Sequence, residues 1–112
     1  MVNAYDAFLR SLEKPIILWL LSRKPRHGYE LILEFKKLTG RKLKPSIVYP
    51  FLHKLERDGF AVSNWIGKGK RKIKCYSLTS NGENLLKRAR EIFSKPLREI
   101  LTGLVEKREN SS

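Results

Sequence analysis

Apolar residues recur at helical spacing along most of the chain, with one interruption where the pattern becomes that of short strands. Tyr5, Phe8, Leu9 and Leu12 predict a short amphipathic helix over residues 4–13. Pro15 starts, or kinks, a second helical stretch carrying Ile16, Ile17, Trp19, Leu20 and Leu21, because proline suits the first turn of a helix and bends its interior. A basic turn, Arg23–Arg26, is centred on Pro25. The next helix opens near His27 and Gly28, shows the stripe Leu31, Ile32, Phe35 and Leu38, and stops at Gly40. After a basic loop over 41–45, a third short helix runs from about Ser46 to Asp58, with Gly59 as its stop.

Residues 60–66 and 71–78 then read as two strands around the glycine-bearing turn Gly67–Lys70, a β-hairpin. Trp65 and Ile66 are apolar neighbours, so alternation leaves the register open. A last, long helix begins at Thr79 or Ser80, and Ser80 followed by Glu83 has the form of a capping box. Its apolar positions run from Leu85 to Leu104, with Pro96 predicted to kink it and residues 106–112 to fray. The expected fold is mostly α with a small β-hairpin: a winged helix-turn-helix domain with an N-terminal helix and a long C-terminal dimerisation helix. The expected divisions are 1–14 as a helical arm, 15–79 as the winged helix and 80–112 as the dimerisation helix and tail.

Charge changes the picture more than any other bulk property. The 112 residues carry 24 Lys or Arg against 11 Asp or Glu, a formal net charge of +13. Residues 36–74 hold twelve of the cations against Glu56 and Asp58, so that window supplies +10. A concentrated positive field attracts a polyanion, and nucleic acid is the expected partner. No run of 18 apolar residues predicts a membrane span, and Asp6 with no signal-peptide pattern around it points to a cytoplasmic setting. One cysteine forms no internal disulfide and no four-cysteine zinc site.

On a helical wheel the third helix places Val48, Phe51, Leu52 and Leu55 on one side and Ser46, Pro50, His53 and Arg57 on the other, flanked by Tyr49 and Lys54. One packing face and one polar face are what a helix needs to enter a DNA groove. If Ser46 is the N-cap, the N–H lost at Pro50 falls at the helix edge. The hairpin segment Gly67–Lys74 holds five cations, Lys68, Lys70, Arg71, Lys72 and Lys74, suited to phosphates or a minor groove. Lys44, just before the third helix, joins the candidate DNA-binding set.

Three segments carry a resemblance: His27–Leu31, Ser46–Gly59 with its Tyr49-Pro50 pair and Leu55-Glu56-x-x-Gly59 ending, and Gly69–Lys72 followed by Tyr76–Gly82. In order and spacing they resemble the PadR family of transcription regulators over residues 16–86. The resemblance implies a winged-helix dimer with Ser46–Gly59 as recognition helix and Lys68–Lys74 as wing. Similar proteins commonly act as repressors, and some respond to small hydrophobic compounds at the dimer centre, so a small hydrophobic effector is among the implied partners.

Phe93, Leu97, Ile100 and Leu104 are spaced 4, 3 and 4, as in a helix-pair seam. With Ile92, Leu101, Phe8 and Leu12 they form the expected homodimer interface. Only His27 and His53 offer imidazoles, and neither sits in a hydrolase motif; no cofactor or metal is expected, and the chain is not read as an enzyme. Cys75 beside Lys74 is read as structural rather than reactive. The alternatives are an RNA-binding or ribosome-associated basic protein, or a winged-helix module for protein interaction.

Overall fold

A computed structural model of the chain describes the backbone of residues 4–110 and the side chains of residues 9–92, 94, 99, 102 and 103. The elements are α1 (Ala4–Arg23), α2 (Gly28–Thr39), α3 (Pro45–Arg57), β1 (Ala61–Ile66), β2 (Ile73–Leu78) and α4 (Ser80–Asn110). Three helices, a hairpin and a long helix is the order that the apolar pattern predicts.

Pro15 does not start a new helix: α1 is one helix with Pro15 inside it. An internal proline costs a helix about 3 kcal/mol. Here Ile17, Leu20 and Leu21 beyond it are buried, and tertiary packing offsets that cost. These residues meet Leu31 and Phe35 of α2, Leu43 of the following loop, and Val48 and Leu52 of α3 in one core. Tyr76 of β2 and Leu86 of α4 belong to the same cluster.

The ends of α2 follow the expected signals. His27 is its N-cap, with Nδ1 accepting the Glu30 N–H at 3.3 Å, and Gly40 closes it at φ 75°. Arg26 ties this turn to the sheet. Its N–H donates to the Tyr76 carbonyl at 3.0 Å and its carbonyl accepts the Tyr76 N–H at 2.8 Å. Its buried guanidinium donates to the Leu20 carbonyl at 3.0 Å and to Glu30 at 3.1 Å.

The hairpin is antiparallel and runs from Ala61 opposite Leu78 to Ile66 opposite Ile73. Ala61 is buried, whereas Trp65 and Ile66 are both exposed because this end of the hairpin projects past the core. That projection is why two adjacent apolar residues did not reveal an inward face. Helix α4 starts at Ser80, within the expected bounds, but its cap departs from expectation. Thr79, not Ser80, accepts the Gly82 N–H at 3.1 Å, while its hydroxyl donates to the Gly59 carbonyl at 2.6 Å. One side chain therefore begins α4 and pins it to the turn after α3. Helix α4 passes through Pro96 and continues to Asn110, beyond the point where fraying is predicted.

Candidate nucleic-acid interface

Helix α3 presents the two faces that the wheel predicts. Val48, Leu52 and Leu55 are buried and Phe51 is half-buried, whereas Ser46, Tyr49, Pro50, His53, Lys54 and Arg57 are exposed. The cap differs from expectation. Lys44 is the N-cap and Pro45 the first helical residue, so Ser46 lies inside the first turn. Pro50 consequently falls in the helix interior, where its missing N–H removes the bond that the Ser46 carbonyl would otherwise receive. Proline at the first position supplies a ready helical φ, and no side chain is needed to open the helix.

The wing side of α3 forms a hollow. Tyr49 and His53 face Lys72, Ile73, Lys74 and Tyr76 across it, and His27 and Gly28 close one end. The Tyr49 ring lies over Gly28, where an added Cβ would stand 2.7 Å from Tyr49 Cζ. Glycine at this position thus lets the ring settle against the start of α2. His27, Gly28, Ile73 and Tyr76 were not among the predicted site residues. They come from segments distant in sequence, and packing of α2 and the hairpin against α3, with the Arg26–Tyr76 pairing between them, brings them together.

Of the predicted wing cations, Lys68, Lys70, Arg71 and Lys72 are exposed on the turn, where Gly67 (φ 122°) and Gly69 (φ 64°) take conformations that other residues rarely adopt. Lys74 is placed differently. It is half-buried, with Nζ 3.5 Å from Glu56 Oε1 and 5.3 Å from the Tyr76 ring centroid. Glu56 also accepts the Ser63 hydroxyl. Arg57 is paired in turn with Asp58 at 3.6 Å.

Glu56 therefore joins α3 to both strands of the wing. The Ser63 hydroxyl is the main cause that holds its carboxyl below the ordinary value of 4.5; burial opposes it, and the Lys74 ammonium and the nearby His53 add to the lowering. A carboxyl depressed in the folded state contributes stability that is present above the unfolded value and lost as pH falls through the folded one. The thermal midpoint of Glu56→Gln is expected below that of the parent at neutral pH, and the gap should close as pH drops below 4.5. A gap of constant size down into acid would show that the ionised carboxylate does not supply the link.

Cys75 is half-buried, and burial, aided by Glu30, pushes its thiol up rather than down, as befits a structural residue. Among the described residues no group of three or more His, Cys, Asp or Glu is placed to hold a metal ion, and no helix is long and apolar enough to cross a membrane. Of the predicted dimer residues, Leu12 lines an apolar hollow with Pro15, Ile16, Trp19, Leu86, Ala89 and Arg90, between α1 and α4. Ile92 is 63% exposed. The side chains of Phe8, Phe93, Leu97, Ile100, Leu101 and Leu104 lie outside the described residues.

Residues 17–88 match the Transcriptional regulator PadR-like family. The chain belongs to this family. It is 32% identical over 85 residues to Transcriptional regulator Rv3488 of Mycobacterium tuberculosis, covering 76% of this chain and 68% of that protein. The structure of smu.1704 from Streptococcus mutans superposes with a TM-score of 0.70 at 30% identity, over 85% of this chain and 87% of that one. Bacillus subtilis PadR, solved in complex with operator DNA, superposes with a TM-score of 0.61 at 33% identity, over 70% of this chain and 45% of that one. The PadR-like match takes in α2, α3, the hairpin and the start of α4, the elements that build the α3–wing hollow.

Proposed function

We propose that this PadR-like chain is a homodimeric repressor that binds double-stranded DNA sequence-specifically, with α3 in the major groove and the wing on the adjacent backbone. The carrying observation is that Tyr49 and His53, on the exposed face of α3, and Lys72, Ile73 and Lys74 of the wing border a single hollow. Ser46, Tyr49, Pro50, His53, Lys54 and Arg57 supply the α3 surface. Lys44, Lys68, Lys70, Arg71 and Lys72 supply phosphate contacts, and Lys74 acts from behind through Glu56. Bacillus subtilis PadR, solved in complex with operator DNA, supports duplex DNA as the partner.

In this reading residues 15–79 are the DNA-binding unit and 80–112 the dimerisation helix, with 1–14 packing on the same surface. A small hydrophobic effector belongs in the apolar hollow between α1 and α4. Titrating the protein with duplex DNA and with structured RNA at matched salt tests the choice of nucleic acid. Duplex is expected to bind more tightly, since the exposed polar face belongs to a helix of the kind that enters a major groove. Equal or tighter binding of the RNA would favour a basic RNA-binding protein instead.

A further inference from the structure

We propose that α1 carries part of the DNA grip: Arg10 and Lys14, with Lys42, Lys44 and Lys54, form a second phosphate-binding flank on the side of α3 away from the wing. The inference rests on the DNA-binding reading above and adds to it a helix outside the recognition motif.

Arg10 and Lys14 are four residues apart on α1 and therefore share a face. Lys14 lines a hollow with Ser46, Pro50 and Lys54 of α3, and its Nζ stands 5.5 Å from the Phe51 ring centroid. That cation–π contact holds the ammonium beside the exposed face of α3. Arg10 lines a second hollow with Lys42 and Lys44, and Ile47 borders both, so the two are contiguous.

All five cations are exposed, and none makes an ion pair among the described residues. The second hollow is lined by one acid, the buried Glu13, against the four cations Arg10, Arg41, Lys42 and Lys44, so its formal charge is positive. By contrast Lys37, Lys74 and Arg57 are each neutralised by a neighbouring carboxylate.

Groove geometry supplies the partner. A helix with its side chains is about 10–12 Å across. It therefore nearly fills a major groove roughly 12 Å wide, with a phosphate strand on either wall. The wing reaches one wall. The α1 flank stands against the other, and its unneutralised cations match phosphates in charge.

The test uses the full-length chain, a mixed-sequence duplex and the Arg10→Gln/Lys14→Gln double variant. Loss of two phosphate contacts is expected to lower the slope of log affinity against log salt by about 2. The Arg10→Lys/Lys14→Arg variant should keep the parent slope, because it keeps the charges. Ethylation interference should show that the phosphates lost in the Gln variant lie on the strand opposite those lost when Lys68, Lys70 and Arg71 become alanine. If the Gln variant is less stable thermally, Lys42→Gln/Lys44→Gln on the exposed loop gives the same readout.

An unchanged salt slope and interference pattern in folded variants of this flank, with the wing variant still affected, would overturn the inference alone. A flank that instead captured acidic protein while leaving duplex binding intact would overturn it too. A parent chain that ignored duplex DNA would overturn the functional reading and this inference together.

Discussion

Ending the chain after Arg90 is expected to convert a dimer into a monomer and to weaken binding to a two-half-site duplex by about 10²–10⁴-fold. The removed segment carries Ile92, Phe93, Leu97, Ile100, Leu101 and Leu104, a stripe longer than a small domain covers by itself. Leu86, buried in the core, and Ala89, at the edge of the α1–α4 hollow, are both retained, so the winged helix itself should survive. Linking two reading heads makes the second binding event intramolecular, which is why the affinity loss exceeds that of any single contact. Sedimentation and binding to one-half-site and two-half-site duplexes check the expectation. A truncated chain that sediments as a dimer, or binds both duplexes as the parent does, would show that the stripe folds back over its own domain.

Replacing Lys68, Lys70 and Arg71 together by alanine is expected to lower the salt slope of duplex binding by about 3. Between ~50 and 200 mM salt the parent should then lose roughly 60-fold more affinity than the variant. All three side chains are exposed, and none makes an ion pair among the described residues, so the thermal midpoint should barely move. Natural and scrambled duplexes should lose affinity alike, because phosphates carry no sequence. Lys74 is left out deliberately. Its place against Glu56 makes it part of the wing's attachment, and removing it would disturb the angle between wing and α3. An unaltered slope in the triple variant would mean that the turn does not lie on DNA.

The elements that bury an apolar face were legible from sequence. Leu31, Ile32 and Phe35 announced α2, and Val48, Leu52 and Leu55 announced α3, because burial and helical period coincide in them. Features decided by a single local contact were not. Ser46 and Ser80 are each acceptable caps by composition. Pro45 opened α3 one residue before Ser46, and Thr79 displaced Ser80 because its hydroxyl also reaches the Gly59 carbonyl. Pro15 read as a boundary because propensity is local, whereas the residues beyond it are held by a core assembled from other helices. The five cations of the wing looked equivalent in a charge count. Strand pairing separates them, since it sets Lys74 beside Tyr76 and Ser63, facing Glu56, and leaves the turn cations outward. The second basic flank was hidden for a related reason. Arg10 and Lys14 belong to a helix distant in sequence from the basic window, and only packing brings them beside α3.

Whether α3 reads bases is best measured by selecting bound duplexes from a random pool with the parent, Tyr49→Phe and His53→Ala. Tyr49 and His53 border the hollow between α3 and the wing, and both are exposed enough to meet a base edge. The parent is expected to enrich paired half-sites related by two-fold symmetry, centred about 10–10.5 base pairs or a multiple apart. At least one variant should shift the preference within a half-site by about 1–3 kcal/mol, the range for a base contact. Thermal unfolding of each variant must match the parent, since Tyr49 also packs over Gly28. No enriched sequence with the parent, or the same sequence at the same ratios from both folded variants, would contradict base reading by α3.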